Sequence, residues 1–234
     1  SVWVHEGSHG HVAKARRLND ALTNWLFAGP VGITVASYRS RHQDHHDHLG
    51  TAQDSERHPR TCIRGGRLWG ELGRALSGLF AYRLLFAYND DKHRDPAGMA
   101  VAVATQGIIA VACWFFGHWL MYPVLWAAPL LTIAVTLTAF RAIAEHQPRS
   151  LDSTPGAEEP IGAWTRSIDS NPVERWLLAP LGFNRHLEHE VFPGVPFYRL
   201  EDAHQALAAS GGLDEADRWH RGSYVSLLRS LSRG

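Results

Sequence analysis

Between Asp95 and Arg141 the chain carries no Asp, Glu, Lys or Arg, a charge-free run of about 45 residues. A helix needs about 20 apolar residues to cross a bilayer, so this run fits two spans and a short turn. We place the first near Met99–Gly117 and the second near Val124–Phe140, a hairpin over about residues 99–140. Trp119, Tyr122 and Pro123 fall at the turn, where Trp and Tyr suit the lipid–water boundary. The overall mean hydropathy, −0.21, is that of a soluble protein and conceals this local extreme. A buried hairpin in a soluble core fits less well, because core helices are shorter and carry a polar stripe. The hairpin flanks, Lys92, His93, Arg94 and then Arg141 and Arg149, are basic, while the turn has no Lys or Arg. The positive-inside rule therefore puts both flanks on the cytoplasmic side.

Other segments are read against this hairpin. Ala21–Tyr38 is mostly apolar but contains Asn24 and the break Gly29-Pro30-Val31-Gly32. A crossing there would separate the histidines before it from those after it, so an interfacial or re-entrant segment is expected. Leu72–Tyr88, with Arg74 and Arg83, and Asp214–Arg233 read as amphipathic surface helices. Leu151–Gly162, rich in Pro, Gly and acids, reads as a loop. The 234 residues suit a single domain, 1–234, and the balance of 23 basic and 23 acidic residues gives no field for nucleic acid. The two cysteines, Cys62 and Cys113, have no CxxC spacing and build neither a disulfide framework nor a thiolate zinc site. The chain opens on Ser1, with a histidine motif at His5 and no signal-peptide pattern, and we expect it to be truncated at its N-terminus.

Histidine is the abnormal count, at 15, and it is clustered. His5 and His9 stand at i and i+4, with Glu6 between them and His11 just beyond, so both rings leave one helical face. Alone, this string is also HExxH, the zinc-protease motif in which Glu6 would be the general base. His42, His45 and His46 stand at i, i+3 and i+4 and put three imidazoles on one face. His186, His189 and Glu190 repeat that spacing, with a carboxylate as the last member. His146 stands alone at the end of the second span. Eight histidines and a glutamate exceed what one tetrahedral zinc uses and suit two metals. Imidazole-rich sets accept Fe, Zn, Cu or Ni, so donor type alone leaves the metal open.

The order HxxxH, HxxHH, hairpin, HxxHE resembles the membrane fatty acid desaturase and hydroxylase superfamily. Tyr38-Arg39-Ser40-Arg41-His42-Gln43-Asp44-His45-His46 with Leu49-Gly50-Thr51 looks like its second histidine box. Asn184-Arg185-His186-Leu187-Glu188-His189-Glu190-Val191-Phe192-Pro193 and the residues to Leu200 look like its third. The resemblance implies an all-α integral membrane protein with a histidine-rich di-metal cap on the cytoplasmic face. It implies two non-haem Fe ions using O2 on an unactivated C–H bond of a lipid or fatty acyl chain. Electrons would come from a separate carrier of the ferredoxin or cytochrome b5 type. By that pattern His5, His9, His42, His45, His46, His186 and His189 are metal ligands, and His146 matches the extra histidine after the last span. Glu6, Asp44, Glu145 and Asn184 would orient the ligands by hydrogen bonding. Two departures stand out: Glu190 replaces the last histidine of the third box, and the hairpin that precedes the first box in the family is expected to be missing. Desaturation is the leading reaction. A lipid, carotenoid or alkane hydroxylase or ketolase is the sibling alternative, and an intramembrane zinc protease using His5, Glu6 and His9 is the remote one.

Overall fold

The computed structural model describes residues 2–51, 53–56, 65–81, 95–146, 164–213 and 222–233, and these residues form helices, turns and loops without a strand. The helices are α1 (Val2–His9), α2 (Arg16–Thr23), α3 (Val35–His48), α4 (Gly66–Leu76), α5 (Pro96–Phe116), α6 (Tyr122–Glu145), α7 (Pro172–Leu178), α8 (His186–Val191), α9 (Leu200–Ala209) and α10 (Tyr224–Arg233). They fall into two compact units, residues 1–43 with 73–136, and residues 44–72 with 137–234. The division passes inside α3, α4 and α6.

In the first unit, α5 begins where the sequence gives a helix start. The Asp95 side chain accepts the Gly98 N–H at 2.9 Å, and Pro96, which has no N–H to satisfy, takes the first helical position. Its 21 residues rise about 32 Å, close to the roughly 30 Å hydrocarbon thickness of a bilayer. α6 runs for 24 residues, with wide π turns at Tyr122–Ala127 and Leu130–Ala134. Only 11 % and 6 % of the apolar stretches of α5 and α6 are buried, which is unlike the core helices of a soluble protein. Val103, Val111, Trp114, Phe115, Phe116, Val124, Leu125 and Ile133 are exposed, and an apolar surface of that extent fits lipid rather than water. The expected hairpin is therefore present as two candidate membrane helices. Its second arm continues past Phe140 to Glu145, because Arg141 and Glu145 pair at i, i+4 and prolong the helix as a polar turn.

Ala21–Tyr38 is a broken segment and not one rod. After α2 come a π turn at Asn24–Ala28 and a 3-10 turn at Gly29–Val31, ended by Gly32 in the left-handed region at φ 79°. The break is held by α5. Gln106 Nε2 donates to the carbonyls of Gly29 (3.0 Å) and Pro30 (2.7 Å), and Tyr122 Oη donates to Gln106 Oε1 at 2.8 Å. Across the break, the Val35 N–H finds Asn24 Oδ1 at 2.8 Å. The last carbonyls of α1 have no partner within their helix, and side chains supply it. Asn19 Nδ2 and Arg39 donate to Gly7 O at 2.8 and 2.9 Å, and Arg39 Nε donates to Ser8 O at 2.7 Å.

The core of the second unit is Leu68, Ile143 and Leu231, with Leu72, Leu227 and Leu228 against it. It joins the start of α4, the end of α6 and α10. The amphipathic pattern of the C-terminal helix is thus spent on this core, and its first residue, Tyr224, is buried and donates from Oη to Glu145 Oε1 at 2.7 Å. Residues 164–170 run as a buried extended strap, with Arg166 N–H on Glu145 O at 3.0 Å and a two-way bond between Ile168 and Asn184. Gly50, at φ 77°, lies under Trp164, where a Cβ would come within 2.5 Å of the ring. Lys92, His93, Arg94, Arg149, Cys62, the loop 151–162, residues 82–88 and residues 214–221 lie outside the described residues.

Candidate metal centre

In the first unit the structure gathers His5, His9 and His42. The i, i+4 spacing on α1 stacks His5 and His9 with ring centroids 4.8 Å apart, and α3 brings His42 to 4.5 and 5.1 Å from them. His5 and His42 are buried, and one ring nitrogen from each of the three lies within 4.8 Å of the others. Glu6 is buried beside them, with Oε1 3.4 Å from His5 Nδ1 and Oε2 3.0 Å from His11 Nδ1. A carboxylate on the far nitrogen of a ligand fixes its tautomer and ring orientation. Glu6 is thus engaged by imidazoles on both oxygens, whereas the HExxH protease reading needs it as a base.

In the second unit, α3, α6 and α8 bring six donors together. His146 Nε2 is 2.8 Å from His186 Nε2, and His189 Nε2 is 3.1 Å from His46 Nε2. Glu190 Oε1 is 3.4 Å from His45 Nε2 and 3.2 Å from His186 Nε2, and its Oε2 is 2.8 Å from His46 Nδ1. Two overlapping triads result, His45–His146–Glu190 and His46–His189–Glu190. Two donors each about 2.1 Å from one ion, at tetrahedral to octahedral angles, lie about 3.0–3.4 Å from each other. Three of the five observed spacings fall in that range, and the two at 2.8 Å lie just below it. Yet both Glu190 oxygens, buried among these rings, meet no donor aligned for a hydrogen bond. Buried polar atoms in that condition are costly unless something binds them, so the residues present fit a metal.

The charge states suit this. Burial pushes His146 down to about 4, and burial together with the neighbouring His146 lowers His186 well below the usual range, so both keep a free lone pair at neutral pH. Burial alone would raise Glu190, but the facing imidazoles of His45 and His46 hold it well below the ordinary carboxylate range, as an anion. For His45, burial favours the neutral ring, and the bond to Asp54 with the facing Glu190 carboxylate overcomes it and raises the group. Metal ligands must be deprotonated imidazole or carboxylate, so an ion here competes with the proton on His45.

The fatty acid desaturase family matches residues 1–222. The chain belongs to that family. No curated protein matches the sequence. Membership makes the chain a desaturase- or hydroxylase-type oxidoreductase, associated with a membrane and with a lipid or acyl substrate. In a desaturase chain the three histidine boxes carry the chemistry. The first box lies in the first buried cluster and the third in the second, while the second box is divided between them, His42 in one and His45 and His46 in the other. His5, His9 and His42 meet in the first unit. His45, His46, His146, His186, His189 and Glu190 meet in the second.

The neighbours expected to orient these ligands divide. Glu6 lies against His5, and Glu145 Oε2 lies 4.0 Å from His186 Nδ1 while taking Arg141 and Tyr224. Asp44 faces His48 at 3.5 Å, and Asn184 is tied to the Ile168 backbone. The carboxylate on a second-box ligand is instead Asp54, with Oδ1 2.7 Å from His45 Nδ1. It sits in the loop after α3, where no helical spacing marks it. Glu188 was likewise unmarked. Fully buried, it takes His204 Nδ1 at 2.6 Å and the Ser167 hydroxyl, tying α8 to α9 and the strap. Phe183 stacks on both His186 and His189, and the Arg141 guanidinium covers its ring at 4.4 Å.

Proposed function

We propose that this desaturase-family chain is a membrane-bound, O2-dependent oxidoreductase that introduces a double bond into a fatty acyl chain through two non-haem irons. The single observation that supports this best is the buried second-unit cluster, in which five imidazoles and one carboxylate converge near ligand spacing with no donor aligned on the carboxylate for a hydrogen bond. The ligands are His5, His9, His42, His45, His46, His146, His186, His189 and Glu190. When bound, the irons supply reduction of O2 and the oxidising power to take hydrogen from an unactivated C–H bond.

The protein's own groups hold and orient. Asp54 accepts His45 Nδ1–H and leaves Nε2 to the metal, and Glu6 does the same for His5. Glu145, fixed by Tyr224 and Arg141, lies beside the His186 ring. The reaction takes two hydrogens from adjacent carbons, two electrons and two protons, and turns one O2 into two waters. The electrons come from a separate ferredoxin or cytochrome b5 type carrier. We place the site on the cytoplasmic face, from the basic hairpin flanks, and read residues 1–234 as one desaturase-like domain.

Expression of the gene in a host of known lipid content tests this, with total lipids read by mass spectrometry. The expected result is a species two hydrogens lighter than its parent, absent from the His45→Ala variant. A species one oxygen heavier would make the chain a lipid, carotenoid or alkane hydroxylase or ketolase, and no change in any lipid would count against the assignment.

A further inference from the structure

Glu190 stands where the histidine pattern of the boxes fails, and its two oxygens do not serve one place. Oε1 faces His45 and His186 at 3.4 and 3.2 Å, while Oε2 faces His46 at 2.8 Å. It belongs to both candidate triads, one completed by His45 and His146, the other by His46 and His189. The carboxyl group is entirely buried, and neither oxygen has an aligned hydrogen-bond donor. An imidazole at this position offers one lone pair, whereas a carboxylate offers two oxygens with separate lone pairs.

We infer that Glu190 bridges the two metal ions. Oε1 would bind the ion whose ligands include His45, His146 and His186, and Oε2 the ion whose ligands include His46 and His189. The inference rests on the two-metal reading above and adds a ligand role that a neutral imidazole, with one free lone pair, could not fill. It also gives the departure a chemical sense. A carboxylate neutralises one charge between two dications and supplies oxygen donors to an otherwise nitrogen set.

The test uses the full chain purified in detergent, stripped of metal and titrated with Co(II) under anaerobic conditions. Bound cobalt is counted by elemental analysis, and coupling between the ions is read by variable-temperature magnetic circular dichroism. The expected wild type holds two coupled cobalt ions. Glu190→Gln weakens both ions by on the order of 100-fold and abolishes the coupling, since a direct ligand matters at least as much as the outer groups whose loss costs 10–100-fold. Glu190→His, with one donor atom, restores one ion and not the coupling. If Glu190→Gln weakens one ion and leaves the other at wild-type affinity, or if two wild-type ions are uncoupled, the bridge is overturned and the two-metal reading stands. A wild type that binds fewer than two ions overturns both.

Discussion

Asp54 gives the sharpest perturbation, because it touches no metal-binding nitrogen and still governs one. Its Oδ1 accepts His45 Nδ1–H at 2.7 Å, and both side chains are almost fully buried, at 4 % and 3 % exposure. The same carboxylate accepts the backbone N–H of Glu56 at 2.9 Å and of Gly50 at 3.3 Å. Asp54→Asn keeps an acceptor for His45 and the Glu56 N–H, gives up the one for the Gly50 N–H and removes the charge, so the His45 tautomer survives but its basicity falls. Asp54→Ala removes the acceptor as well. Loss of such an outer partner costs about 10–100-fold in metal affinity, or about 1.4–2.7 kcal/mol. Asn belongs at the low end and Ala at the high end. Ala should also unfold earlier without metal, because the two orphaned backbone donors cost about 1 kcal/mol each. Metal competition titrations and thermal unfolding of metal-free protein separate the two effects. If both variants bind metal as the wild type does, His45 is not a ligand oriented by Asp54, and the second-unit site is misread.

Three further outcomes are expected from the packing. Gly7→Ala would place a Cβ 2.2 Å from Thr23 Oγ1, whose side chain is buried and bonded to Asn19 O at 2.7 Å, so it cannot swing away. Overpacking costs about 1–3 kcal/mol and outweighs the roughly 0.5–1 kcal/mol helix gain of Ala over Gly; adding Thr23→Ala should recover much of the lost melting temperature. Gln106→Leu takes the donor from the Gly29 and Pro30 carbonyls and the acceptor from Tyr122, and thermal unfolding in detergent should show a loss of about 1–3 kcal/mol. Asp20 gives the acid limb: burial would raise its carboxyl, but bonds from Arg39, Asn19 and Arg16 hold it below the ordinary value. A lowered folded value means stabilisation that is complete above the unfolded Asp range and is lost as pH falls through the folded value. Arg39→Ala should therefore flatten that limb in an acid unfolding curve, and an unchanged curve would count against the pair.

What the sequence made legible was whatever carries a period. The charge-free run marked the hairpin, because a bilayer demands a length and a composition that are both readable in one dimension. The i, i+3, i+4 spacing marked the ligand histidines, because a helix turns that spacing into one face. The break at Gly29-Pro30-Val31-Gly32 was legible from its residue types, and the structure adds that Gln106 on α5 holds it. Contacts that join distant, aperiodic positions were not legible. Asp54 reaches His45 from a loop, Tyr224 reaches Glu145 across 79 positions, and His204 reaches Glu188 from the next helix. Asp44 looked suited to orient a ligand because it precedes one in sequence. On a helix, though, the immediate neighbour points elsewhere, and Asp44 meets His48 one turn on.

Metal content of the purified chain tests the central claim most directly. Protein produced in medium holding both iron and zinc, then measured by elemental analysis against protein concentration, should carry two irons per chain and lose them in His45→Ala. One zinc per chain with no iron would contradict the account and return His5, Glu6 and His9 to the protease reading.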